Sequence, residues 1–294
     1  MTHLPEPRPR PTSVAGTFYP GNPRQLSGMV EELLEAAAAA PRPHLDVASV
    51  IGGMVPHAGL VYSGVIAALT WRLIGELAPD AIVLAGTDHR GAARGVGVWT
   101  GGPWRSPLGD VPVDRDLALR IADLGSPFAS EEEAHLDEHS LEVQLPLIAR
   151  TCPNACIVPL AVSPRLQGHE TAGRRLGQLL SQLRAGGDRI VLVASSDMAH
   201  YPPADVCQEV DDRLLGPLLN LEAEALANLE TALLRARLPG LLCGLCGIDP
   251  VRFTLAAAAE MGAKRGVLLG KATSADAGGD PGRTVGYAAA AFTV

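Results

Sequence analysis

The sequence predicts an α/β fold, with a β-sheet covered by helices on both faces. Three observations carry that prediction. Short apolar runs alternate along the chain with longer segments whose apolar residues recur at helical spacing. Cys156–Val162, and Arg189–Ala194 after its first residue, are continuously apolar rather than alternating, as strands buried on both faces must be. The chain also holds 32 Gly and 24 Pro in 294 residues, enough to punctuate many tight connections.

Each element follows from that pattern in order. Met1–Ser13 carries four prolines and no apolar run of a signal peptide, so it reads as a flexible tail. Residues 14–294 read as a single domain. Gln25–Ala40 has helical spacing. Val47–Val55 reads as a buried strand, and Gly64–Leu77 as a helix with one apolar face. Ala81–Ala85 and Gly95–Trp99 read as short strands, Arg115–Leu124 as a helix. A further helix is expected from near Glu138 through Leu141–Ile148. Cys156–Val162 is a strand, Gly168–Leu183 a helix, and Arg189–Ala194 another strand. Asp205–Leu219, Glu222–Ala236 and Asp249–Gly262 read as helices. Gly266–Lys271 and Thr284–Val294 close the chain as strands.

Composition excludes several functions. Lys plus Arg number 24 against 32 Asp plus Glu, a net charge of −8, which does not suit a general nucleic-acid binder. No uncharged stretch is long enough to cross a bilayer. Five cysteines are too few, and odd in number, for a disulfide framework, so the expected compartment is a reducing cytoplasm.

In open α/β sheets, ligands bind beyond the carboxyl ends of the strands. There the sequence places Pro56-His57-Ala58-Gly59 with Tyr62, then Gly86-Thr87-Asp88-His89, then Ser195-Ser196-Asp197-Met198-Ala199-His200. Three strands each release a histidine within a few residues of their ends. Convergence of imidazoles from separate strands is what a metal or acid/base site requires. Two imidazoles need a further donor. Asp88, Asp197, Glu138, Asp249 and the pair Cys243/Cys246 are the candidates. Cys246 precedes a helix, where a thiolate is favoured. The C-x-x-C pair does not begin a βαβ unit, so a thioredoxin-like couple is disfavoured. His139 and Glu142 lie near one helical turn apart, placed to line a pocket or orient ligands.

Together these motifs resemble the MEMO family, also called protein B of the AmmeMemoRadiSam system. The resemblance runs over nearly the whole chain after the tail. It also takes in Ala15-Gly16-Thr17-Phe18-Tyr19, Pro107-Leu108-Gly109-Asp110, Glu138-His139-Ser140-Leu141-Glu142, Cys246-Gly247 and Val285-Gly286-Tyr287. The resemblance implies a three-layer α/β/α fold with a central mixed, mostly parallel sheet, similar to class III extradiol non-haem iron dioxygenases. It implies metal ligands at His57, His89 and Cys246 and an acid/base histidine at His200. Fe(II) is the leading metal, with Cu or Zn as alternatives. Asp88, Arg90, Glu138, His139, Asp197, Asp249 and Tyr62 are then the supporting or substrate-facing residues. Two departures matter. Arg90 stands where some members have a second histidine, a cation that favours an anionic ligand over a divalent metal. Cys246 stands where the dioxygenases have a carboxylate, which leaves Asp249 as a rival. The family's bacterial members imply radical SAM and AMMECR1-like partner proteins, and its eukaryotic members imply a binding role toward phosphotyrosine peptides.

Overall fold

The computed structural model describes residues 7–294. Its strands are β1 (Val50–Val55), β2 (Ala81–Thr87), β3 (Val96–Val98), β4 (Phe128–Ser130), β5 (Cys156–Val162), β6 (Ile190–Ser195), β7 (Arg265–Thr273) and β8 (Gly286–Thr293). The helices are α1 (Pro23–Ala39), α2 (Leu60–Glu76), α3 (Arg115–Ala122), α4 (Glu133–Leu136), α5 (Leu145–Thr151), α6 (His169–Ala185), α7 (Ala204–Leu219), α8 (Ala223–Arg235) and α9 (Ile248–Glu260). All eight strands form one mixed sheet in the order β4-β3-β5-β2-β6-β1-β8-β7. The centre, β5-β2-β6-β1, is parallel, while β8 runs antiparallel to β1 and β7.

The continuous apolar runs are explained by two cores. Helices α1, α2 and α5 pack one face of the sheet around Trp71, Val55, Ile82 and Val193. Helices α3 and α6 to α9 pack the other around Phe253, Leu192, Val83 and Leu160. Every residue of β1, β2 and β6 is buried, so each strand stabilises both layers. This is the expected three-layer α/β/α architecture.

Two features of the scaffold place the site. The first is register. Ser195, the last residue of β6, pairs with Val55 of β1 on one side and Gly86 of β2 on the other. Three parallel strands therefore end flush, and the segments leaving them emerge side by side. The second is the close packing of α6 on α9. A Cβ added at Gly173 would lie 2.1 Å from the Phe253 carbonyl oxygen, and one at Gly177 would lie 2.4 Å from that of Ala257. Glycine lets the two helices touch, which fixes where α9 and the Cys246-Gly247 turn before it begin.

The structure corrects several expectations. Residues 1–6 of the expected tail lie outside the described residues. From Arg10 the segment is packed: the Arg10 side chain is fully buried, its guanidinium 4.2 Å above the Trp104 ring and 2.5 Å from the Glu142 carboxylate. The prolines at 7, 9 and 11 do not prevent ordering where a buried ion pair anchors the chain. The strand expected from Val47 starts at Val50, because Asp46 caps a short 3-10 turn over Val47–Ser49. The helix expected from Glu138 starts at Leu145, with Pro146 in its first turn. Glu138 instead accepts hydrogen bonds from the backbone N–H groups of His139 and Ser140, holding a turn. Strand β4 and helix α4 are too short for periodicity to reveal. No helix among the described residues is long and apolar enough to cross a membrane.

Candidate metal centre

His57 follows β1, Asp88 and His89 follow β2, and Asp197 and His200 follow β6. Because those strands end flush, all of these side chains but Asp88 meet around one cavity of about 740 Å³. His57, His89, His139, Asp197, His200 and Cys246 all line it. The His57 ring lies 5.4 Å from that of His89 and 5.5 Å from that of His139, both edge-on. His89 and His139 stack at 4.6 Å.

His57 is held from behind. Its Nδ1 lies 3.2 Å from the Ser195 hydroxyl, and its Nε2 faces the Cys246 sulfur at 3.0 Å. Its backbone N–H donates to Asp197 Oδ1 at 2.6 Å. Burial, reinforced by the neighbouring histidines His139 and His89, holds its imidazole well below the usual histidine range. The ring is neutral at neutral pH and retains a lone pair for a ligand.

His89 is fixed by Glu138. The carboxylate accepts from the His89 ring Nδ1 at 2.9 Å and from its backbone N–H at 2.8 Å. Burial raises the Glu138 pKa, but the hydrogen bonds and positive charge of its neighbours outweigh it and bring the carboxyl down to about 2. An ionised carboxylate is an acceptor only, so Nδ1 of His89 carries the proton and Nε2 is the open nitrogen. His139 rests between Phe18 and His89, its ring 4.7 Å from the phenyl ring. Burial pushes its pKa down to about 4.

Cys246 completes the wall. Burial and the nearby Asp197 push its thiol well above the usual cysteine range. A bound cation is then needed to displace its proton. Gly247 is required for this placement: an added Cβ would lie 2.7 Å from Ser196 Cβ and 2.9 Å from the Ser195 carbonyl oxygen. Asp197 accepts from the backbone N–H groups of His57 and Ala58. Burial raises its carboxyl pKa against the pull of His200 and those amides. His200 Nδ1 donates to the Met198 carbonyl at 2.9 Å, which leaves Nε2 as its basic nitrogen.

Two sets of donors lie within 4.8 Å of one another: His57, His89 and His139, and His57, Asp197 and Cys246. His57 belongs to both. The expected trio His57, His89 and Cys246 is thus divided between them, sharing the cavity and hinging on His57. The donor chemistry fits a borderline transition metal, since neutral imidazoles and a sulfur suit iron, copper or zinc.

The other expected residues divide between the cavity wall and its surroundings. Tyr62 lines the cavity. Asp88 is buried beneath it, Oδ2 accepting from the Ala93 N–H while Oδ1 has no partner. Arg90 is exposed, with Nε donating to the Asp137 carbonyl. Asp249 does not join the cavity wall; it turns toward His169 at 3.4 Å and Arg252 at 3.7 Å. Glu142 supports the N-terminal segment instead of lining the pocket. It accepts from the Ser13 and Val14 N–H groups and the Tyr19 hydroxyl. Sequence reasoning missed Gln144, Phe18 and Arg283. Phe18 stood in the Gly-Thr-Phe-Tyr motif and Gln144 in the dense polar run Asp137–Pro146, while Arg283 carried no signal.

The family profile described as Memo-like protein matches residues 10–291. A MEMO1 family protein of Methanopyrus kandleri is 32% identical over 289 residues, covering 96% of this chain and 98% of that protein. One of Ignicoccus hospitalis is 34% identical over 290 residues, covering 96% and 98%. The crystal structure of an uncharacterized Escherichia coli K12 protein aligns with a TM-score of 0.45 at 18% identity, over 76% of this chain and 92% of that one.

Proposed function

The chain belongs to the Memo-like family, and we propose that it is a metal-binding, dioxygenase-like oxidoreductase that holds one Fe(II) on His57, His89 and Cys246. One observation carries the reading. The Nε2 of His57 faces the Cys246 sulfur at 3.0 Å, at the junction of two donor sets within one cavity.

When bound, the metal supplies a Lewis-acid and one-electron redox centre. The chain's own residues do the rest. Glu138 orients His89 and keeps its Nε2 open. His139, stacked on His89, stands within reach of the same point. His200, with Nδ1 spent on the Met198 carbonyl, takes or gives a proton at Nε2. Phe18, Tyr62 and Leu242 supply apolar cavity wall.

The test is anaerobic titration of tag-free protein with Fe(II), then nitric oxide as a dioxygen surrogate. A spectroscopic signal of one iron per chain is expected in the wild type and lost in His57→Ala and His89→Ala. No iron signal in the wild type, or one that survives both substitutions, ends the reading.

A second reading is a binding protein that takes an anionic or phosphorylated peptide ligand in the same cavity, or acts with radical SAM and AMMECR1-like partners. The observation favouring an anionic ligand is Arg283. It lines the cavity with its guanidinium stacked 4.1 Å above the Tyr201 ring, with no carboxylate within ion-pair distance among the described residues. Calorimetry of metal-free protein with a phosphotyrosine peptide tests it. Binding lost in Arg283→Ala supports this reading, and no heat in the wild type removes it.

A further inference from the structure

Behind His57 lies a chain of buried hydrogen bonds whose directions are all determined. Trp71 Nε1, a donor only, lies 2.9 Å from one terminal atom of Gln144. That atom must be the carbonyl Oε1. The amide nitrogen of Gln144 therefore faces the Pro56 carbonyl oxygen at 2.8 Å, an acceptor only, and the Ser195 hydroxyl oxygen at 3.2 Å. Two independent partners thus agree on the orientation of the amide. Ser195 in turn donates its one hydroxyl proton to the Ser140 carbonyl at 2.6 Å. Having spent that proton and received one from Gln144, its oxygen can only accept from His57 Nδ1 at 3.2 Å. Trp71, Gln144, Ser195 and His57 are each no more than 2% exposed, so water does not offer another arrangement.

We propose that Gln144 and Ser195 are positioning residues that lock His57 in its Nδ1–H tautomer, so that Nε2 is permanently presented to the metal. The inference rests on the metal-centre reading for its purpose, but the tautomer itself does not require a metal. The two ligand histidines are thereby held by opposite means. His89 donates to a charged carboxylate, Glu138, in a partly exposed position. His57 donates to a neutral hydroxyl ordered by a neutral amide, at a point where Asp197 already places one carboxyl against the His57 backbone. A second buried carboxylate there would need its own compensating charge. The neutral chain orients the ring without that requirement. Gln144 reaches this position because it lies in a short 3-10 turn (Glu142–Gln144) that faces the end of β6.

The test has two arms. In the first, ¹⁵N-labelled metal-free wild-type protein is measured by long-range ¹H–¹⁵N correlation NMR at neutral pH. His57 is expected to show a protonated Nδ1 and an unprotonated Nε2. The opposite tautomer, or an even mixture, overturns the proposal whatever the variants do. In the second, Co(II) affinity is measured by chelator competition for wild type and Ser195→Ala. With the acceptor gone, the ring is free to exchange tautomers and affinity is expected to fall 10–100-fold, as is usual for partners that orient a ligand histidine. Mixed tautomers with weakened Co(II) binding support the proposal. An unchanged tautomer and affinity in Ser195→Ala overturn it. Absence of Co(II) binding in the wild type counts against the metal-centre reading alone, and the NMR arm then still decides the tautomer claim.

Discussion

Replacing Glu142 by glutamine removes the carboxylate charge that faces Arg10 while leaving the side chain's shape almost unchanged. Both side chains are fully buried, and the closest approach is 2.5 Å. The guanidinium also donates to the carbonyls of His135 and Glu138, each at 2.7 Å, so it cannot leave without breaking those bonds. Breaking one partner of a buried ion pair costs about 3–5 kcal/mol, because the other charge stays desolvated. The amide keeps one acceptor for Tyr19 or Val14, which places Glu142→Gln near the lower end, about 3 kcal/mol. At roughly 2–4 °C per kcal/mol for a chain of this size, Tm should fall by roughly 6–12 °C. The assay is guanidinium and thermal unfolding, with hydrogen exchange of the Ser13 and Val14 amides, which donate to Glu142, as a local readout of the N-terminal segment. An Arg10→Met/Glu142→Leu double variant should recover most of the loss, since no charge is then left buried. A Glu142→Gln protein within about 0.5 kcal/mol of wild type would refute the account, as would a double variant worse than the two singles combined.

Asp211 is the clearest pH lever. Burial raises its carboxyl pKa from 3.8 to about 7, so folding favours its neutral form. Its ionisation destabilises the fold progressively as pH rises from the unfolded value to the folded one, by about 4 kcal/mol in total. Unfolding free energies of wild type and Asp211→Asn between pH 4 and 8 should diverge in favour of the variant as pH rises, levelling above about 7; a flat difference contradicts this. Glu138→Gln removes the charged acceptor of His89 Nδ1 and should weaken Co(II) binding 10–100-fold, read by chelator competition; unchanged affinity would show that His89 needs no such support. Gly247→Ala drives a Cβ to within 2.7–2.9 Å of Ser196 and the Ser195 carbonyl. It should cost about 1–3 kcal/mol of stability and remove the thiolate-to-Co(II) charge-transfer band. Retention of that band would show that Gly247 is not required to place the Cys246 thiolate.

What the sequence determined by itself was local. Continuous apolar runs are strands buried on both faces, and residues that follow them emerge at a sheet edge, so His57, His89, Asp197 and His200 were legible as a site before any distance was known. The tertiary structure decided what depends on direction and on contacts far apart in the chain. Asp249 stands three residues from Cys246, yet the first turn of α9 points it at His169 and Arg252. His139 enters the donor set because Glu138 bends its segment back over β2. Arg10 looked like part of a tail until Glu142, 132 residues on, buried it. Gln144 and Ser195, separated by 51 residues, meet only because β6 ends flush between β1 and β2. Periodicity reports which face of an element is buried. It carries no information on which side chain of another element waits there, since that is set by strand order and helix packing.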